Sequence, residues 1–159
     1  MIKIGDSIPS VTIREVTEDG PNVVSTSDFF AGKKIAMFGV PGAFTSTCSA
    51  RHLPGFANNV EGFRAKGVDI IACTSVNDAA VMKAWGEQSG TKGGVVMLSD
   101  GNADLARALG VELDLSKNGM GVRSRRYSML IEDGNVTQLN LEEPGAFGVS
   151  SGDHLLTQI

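Results

Sequence analysis

The residues with the clearest chemistry to offer are a cysteine and its neighbours. Cys48 follows Thr45-Ser46-Thr47 and precedes Ser49, so a thiol lies among four hydroxyls. Just upstream, Pro41-Gly42 breaks the apolar run from Lys34 to Val40, and a helical stretch begins near Cys48. The unpaired N–H groups and the dipole at a helix start both favour a thiolate over a thiol. Thr45, Ser46 and Thr47 are candidate caps and hydrogen-bond donors there. A lone cysteine is otherwise a small buried hydrophobe. The polar setting favours the other use, a nucleophile held where its anion is stable.

Other reactive side chains are few. Cys73 lies in an apolar run, and no Cys-x-x-Cys is present, which excludes dithiol chemistry between near-adjacent cysteines. A zinc site would need Cys48, His52, Cys73 and His154, which lack the usual paired spacings. His52, four residues after Cys48, can share a helix face with it and invites a Cys-His hydrolase reading. Neighbours on one rigid helix seldom give a base oriented by a third group, so a structural role is favoured. His154 reads as a solvated tail residue.

The elements that must position these residues follow from periodicity. Short strands fit Val11 to Ile13 and Val23-Val24, and longer buried ones fit Lys34 to Val40, Val68 to Val76 and Val95 to Leu98. Helical turns begin at Cys48, with Pro54 kinking or restarting them. Phe56, Val60 and Phe63 then share one face up to Gly67. Asn77 or Asp78 caps a helix carrying Val81 and Trp85, and Asp100 to Leu109 holds a short one. Tyr127 to Glu132 and Asn135 to Leu141 flank Asp133-Gly134, a strong hairpin signal. A last short helix starts near Asp153. Strands alternating with helices and ending in a hairpin predict an α/β fold, a central mixed sheet flanked by helices. A thioredoxin-like fold is one candidate with this order.

Composition bounds the rest. The chain has 159 residues, enough for one domain with one core over 1–159. Its 14 Lys plus Arg against 18 Asp plus Glu give a net charge of −4, which argues against a nucleic-acid binder. Arg123, Arg125 and Arg126 form the one basic cluster, too short to change that, and read alone as an exposed strand start. No apolar run approaches the roughly 18 residues of a membrane span. Without a signal-peptide pattern at Met1-Ile2-Lys3-Ile4, the expected location is cytoplasmic, unless a targeting segment has been removed.

The run Pro41-Gly42-Ala43-Phe44-Thr45-Ser46-Thr47-Cys48-Ser49, followed by His52-Leu53-Pro54-Gly55-Phe56, resembles the peroxidatic motif of peroxiredoxins, Pro-x-x-x-Thr-x-x-Cys. The longer match is similar to their type II, or peroxiredoxin-five-like, subfamily. It continues in Ala72-Cys73-Thr74-Ser75-Val76-Asn77-Asp78, Trp85-Gly86 and Arg125-Arg126-Tyr127-Ser128. Many relatives carry Pro where this chain has Ser46, which loosens the loop without removing a reacting group. The resemblance implies the thioredoxin-like fold and a thiol peroxidase for hydrogen peroxide and alkyl hydroperoxides. It implies Cys48 as nucleophile, Thr45 bonding the thiolate and the peroxide oxygens, Pro41 shielding the site, and Arg126 rather than Arg125 completing it. Reduction by glutaredoxin with glutathione, or by thioredoxin, is implied too, as is a homodimer with Phe44 near the contact and the substrate. Gly119, Met120 and Gly121 are weaker candidates for the pocket wall. No metal or organic cofactor is expected, because sulfur supplies both electrons.

Cys73 keeps two readings: a core thiol, or a resolving cysteine that pairs with oxidised Cys48 as proposed for plant type II relatives. Pairing would require local unfolding, since bridged Cα atoms lie within about 7 Å. The other family position for a resolver, near Gly148 to Gly152, holds no cysteine. A redox sensor that reacts once, and a Cys-His hydrolase, are the competing functions. Acidity alone does not make a fast peroxidase. A thiol whose pKa falls from about 8.5 to roughly 6 gains about 30-fold in thiolate at pH 7. It loses about tenfold in nucleophilicity at a Brønsted slope of about 0.4–0.5. The remainder must come from aligning the O–O bond and stabilising the departing oxygen, work suited to Arg126 and Thr45.

Overall fold

The structure, a computed structural model, describes residues 1–91 and 93–159. Strands β1 (Thr12–Thr17), β2 (Gly20–Ser25), β3 (Lys34–Val40), β4 (Ile70–Ser75) and β5 (Val96–Ser99) come first. A separate ribbon pairs β6 (Glu112–Asp114) with β7 (Val122–Ser124), and β8 (Tyr127–Glu132) and β9 (Asn135–Leu141) form the hairpin. Seven strands make one sheet in the order β2-β1-β5-β4-β3-β8-β9. β3, β4 and β5 are parallel, and β8 joins β3 antiparallel. The mixed sheet and the hairpin at Asp133-Gly134 match the sequence expectation.

Alternation along the strands sends side chains to two cores. Ile35 and Met37 of β3 enter one with Phe29 and Phe30 of α1 (Thr26–Phe30) and Leu105 and Leu109 of α5 (Asp104–Leu109). Ala36, Phe38 and Val40 enter the other. There they meet Phe56 of α2 (Leu53–Ala57), Phe63 of α3 (Val60–Ala65), Trp85 of α4 (Ala79–Gln88) and Leu155 of α6 (Gly152–Thr157). Helices therefore flank both faces, the thioredoxin-like arrangement. Each fully buried Phe or Leu contributes about 1.5–3 kcal/mol.

Local outcomes differ from the sequence expectation, among them three near the helices and the ribbon. The single helix through Phe56, Val60 and Phe63 is two, because Asn59 Nδ2 donates to the Gly55 carbonyl at 2.6 Å and to Asp153 Oδ1 at 2.8 Å, competing with the helix ladder. Phe56 and Phe63 still stack, with centroids 5.6 Å apart. The helix expected from Asp100 starts at Asp104. Asp100 stays outside it and accepts the N–H groups of Leu105 and Ala106, both at 2.9 Å. The β6–β7 ribbon has three-residue strands, too short for alternation to register.

Register decides what meets at the end of the sheet. Gly39 of β3 lies opposite Tyr127 of β8, and Tyr127 lies opposite Leu141 of β9. The residues just beyond, Pro41, Arg126 and Glu142, therefore gather at one end, beyond the C-terminal ends of the parallel strands. In open α/β sheets this is where sites form.

Candidate active site

Cys48 opens a π-helical turn, Cys48–His52, in which the Leu53 N–H reaches back to the Cys48 carbonyl. The widened turn precedes Pro54, which has no N–H to give the carbonyl four residues back. No hydroxyl caps this turn: Thr47 makes no side-chain cap bond. Thr45 Oγ1 donates to the Gly42 carbonyl at 2.8 Å, not to sulfur. Its proton is committed there, which leaves its lone pairs free to accept.

Arg126 does reach the sulfur. Its Nη2 donates to Cys48 Sγ at 3.2 Å, and its Nη1 meets His52 Nδ1 at 2.9 Å. Arg125 points elsewhere, giving Nη2 to the Glu142 carbonyl at 2.8 Å. Arg123 donates to the carbonyls of Met120 and Val76. The three arginines are thus half-buried and bonded inward, not an exposed cluster.

His52 is fully buried. Its Nε2 contacts the Ser150 carbonyl at 2.9 Å. A carbonyl only accepts, so Nε2 carries the proton and Nδ1 offers its lone pair to Arg126. Burial, then the Arg126 charge, pushes the His52 pKa down to about 3. The imidazole is neutral, with both nitrogens engaged, so it has no free position to act as a base on substrate. Phe147 stacks against it edge-on at 5.2 Å between centroids, and Arg51 and Arg126 lie 4.6 and 5.7 Å from the Phe147 centroid.

A cavity of about 130 Å³ lies beside Arg126, walled by Pro41, Thr47, Leu113 and residues 143–146. That is room for a few water-sized molecules. Cys48 is fully buried behind it, and Thr45, Phe44 and residues 119–121 do not line it. Phe44 is 46% exposed on the outside of the loop, at φ +64°, a conformation that costs a bulky residue about 1–2 kcal/mol. Larger cavities of about 220 and 460 Å³ lie along α3, α4 and the neighbouring strands, and neither is lined by Arg126. The small cavity is the relevant one, because Arg126, which lines it, also bonds Cys48 Sγ.

Cys73 sits in β4 between Phe38 of β3 and Met97 of β5, fully buried in the same apolar cluster as Cys48. Burial pushes its thiol well up. Both thiols are free. Trp85 is buried too, and its Nε1 donates to Ser49 Oγ at 3.0 Å, tying α4 to the residue after Cys48. His154 is exposed, as expected. Periodicity gave no sign of Glu142, Ser150 or Phe147. They come from the irregular stretch after β9, and only the loop's return past Arg126 brings them to the site.

Comparison with known proteins places the chain in one family. The family described as Redoxin matches residues 3–156. The chain is 51% identical to "Peroxiredoxin-2E-2, chloroplastic" of Oryza sativa subsp. japonica, over 98% of this chain and 71% of that one. It is 47% identical to "Peroxiredoxin-2B" of Arabidopsis thaliana, over 98% and 96%. Reduced Prx3 in complex with H2O2 from Vibrio vulnificus superposes with a TM-score of 0.95 at 46% identity, over 99% of each chain. With a redoxin match over nearly its whole length and relatives of this similarity, the chain belongs to the redoxin family as a type II peroxiredoxin, a thiol-dependent peroxidase.

Proposed function

We propose that Cys48 is the peroxidatic nucleophile, with Arg126, Thr45 and Pro41 forming its peroxide site. The observation that carries this reading is the 3.2 Å bond to Cys48 Sγ from Nη2 of Arg126, whose side chain also lines a small cavity. The sulfur, as thiolate, attacks one peroxide oxygen. The S–O bond forms as the O–O bond breaks, leaving a sulfenic acid and a hydroxide or alkoxide that takes up a proton. Arg126 stabilises the departing charge, and the Thr45 lone pairs accept the peroxide O–H. Pro41 walls the cavity without adding a donor. The test is stopped-flow peroxide consumption: Cys48→Ser should abolish it, and undiminished turnover by that variant would defeat the assignment.

Recycling is assigned to glutaredoxin with glutathione, or to thioredoxin, with Cys73 remaining a core thiol. Its place in a central strand, with partners on both sides, supports this. Turnover by Cys73→Ser should equal wild type with either reductant. A quantitative Cys48–Cys73 disulfide in peroxide-treated protein, seen by mass spectrometry, would make Cys73 the resolver instead. Two copies pair through the active-site loop, a reading supported by the exposed, left-handed Phe44. Phe44→Asp should shift sedimentation from dimer to monomer, and an already monomeric wild type would refute the pairing. Two free thiols suit a reducing compartment such as the cytoplasm. Relatives named chloroplastic make the plastid the alternative, which localisation in source cells decides.

A further inference from the structure

Arg126 is held at both ends by one hydrogen-bonded circuit. At the backbone end, the Glu142 N–H donates to the Arg126 carbonyl at 3.0 Å. The Glu142 side chain then turns inward. Its Oε2 alone accepts three donors: Gly148 N–H at 2.6 Å, Ser150 N–H at 2.9 Å and Ser150 Oγ–H at 2.7 Å. The Ser150 carbonyl accepts His52 Nε2–H at 2.9 Å, and His52 Nδ1 accepts Arg126 Nη1–H at 2.9 Å. The path begins on the backbone of Arg126 and ends on its guanidinium, whose other nitrogen faces Cys48.

Resting on the reading of Cys48 and Arg126 given above, we propose that Glu142 is a positioning residue of the peroxidase site. It acts through the 148–150 turn and His52 to aim the Arg126 guanidinium at Cys48 Sγ.

The tautomer of His52 is the link that transmits the effect. With the Ser150 carbonyl in place, Nε2 keeps the proton and Nδ1 is a bare acceptor. If that carbonyl moves away, the proton can shift to Nδ1, which then opposes the Arg126 N–H, donor against donor. The carbonyl's position depends on the turn, whose backbone N–H groups at Gly148 and Ser150 both bond the Glu142 carboxylate. Gly148 and Val149 are exposed on either side of Glu142's reach, whereas Ser150 is fully buried. Glu142 itself is only 4% exposed, a costly place for a carboxylate unless its bonds compensate. Burial pushes its carboxyl up, but the bonds from Gly148 and Ser150 outweigh this and hold it below the usual range. With three donors on one oxygen, the ionised group ties Gly148 and Ser150 to a single point inside the turn.

Three readouts test the assignment in the full-length protein. They are the second-order rate with hydrogen peroxide, the alkylation rate of Cys48 by iodoacetamide, and the His52 Nε2–H signal by nitrogen-edited NMR. Alkylation needs the thiolate but no aligned O–O bond. In Glu142→Ala the peroxide rate should fall about tenfold or more while alkylation changes less than about twofold, and the His52 signal should be lost. A peroxide rate within about threefold of wild type would overturn the proposal. So would a parallel fall in alkylation, or a rate loss with the His52 signal unchanged. Should Glu142→Ala not fold, Glu142→Gln carries the test, since it keeps an acceptor oxygen but not the charge. A peroxide rate down by more than about twofold with alkylation unchanged supports the role, and a smaller fall defeats it. Failure of the underlying site reading is separate: Cys48→Ser would then still consume peroxide, whatever Glu142 does.

Discussion

Arg126 serves two neighbours with one planar guanidinium, giving Nη2 to Cys48 and Nη1 to His52. A lysine carries the same charge but has one nitrogen, and cannot reproduce a fork that bonds two partners at fixed angles. Arg126→Lys should therefore lower the second-order rate with peroxide by about 100-fold, comparable to deleting one donor to a developing oxyanion. The thiolate titration of Cys48 followed by alkylation should move far less than that. Rate and titration moving together would mean the arginine acts only on acidity. At this scale the sequence singled out Cys48 and Arg126 through a short motif and the run Arg125-Arg126-Tyr127-Ser128, and the fold brings the two side chains together. The sequence was partly misleading for Thr45, whose hydroxyl proton goes to Gly42, and for Phe44, which lies outside the cavity. Hydroxyl direction and loop facing are set by backbone angles, and a residue type does not encode them alone.

The helices that frame the site are short, and their close approaches depend on small residues. Gly152, the first residue of α6, packs against Gly55 of α2, where an added Cβ would lie 2.5 Å from the Gly55 carbonyl oxygen. The obstacle is backbone, which cannot rotate aside. Gly152→Ala should destabilise the fold by about 1–3 kcal/mol, measured as a lower urea midpoint at unchanged slope. Because α6 follows the Ser150 turn directly, the variant should also slow peroxide reduction. An unshifted midpoint would show that α2 and α6 separate freely. The elements themselves were largely legible: the β8–β9 hairpin, β3 to β5, and the Asp78 cap of α4 all follow from alternation, apolar runs and capping chemistry. The split of α2 from α3 was not, because the Asn59 side chain bonds Gly55 and Asp153 across the fold.

At the scale of the whole molecule, the buried polar circuit ties stability to pH. His52 has a folded pKa of about 3 against an ordinary 6.5, so below pH 6.5 the unfolded chain takes up a proton that the folded one refuses. Its contribution is fully present above pH 6.5 and is lost as pH falls toward 3. The loss is at most about 1.4 kcal/mol per pH unit for this one group. Urea unfolding between pH 7 and pH 5 should show this fall, and His52→Gln should flatten it. Equal slopes for the two proteins would rule out His52 as the source. The sequence by itself determined the α/β class and the strand and helix order near the site, and it singled out Cys48 and Arg126 as the pair proposed for the chemistry. Those rest on local periodicity and on residues adjacent in the chain. Only the tertiary structure decided that the sheet register gathers Pro41, Arg126 and Glu142 at one end, that His52 is a buried neutral acceptor, and that Ser150 fixes its tautomer. These contacts join residues far apart in sequence, and their bonds exist only once the chain has closed around them and excluded water.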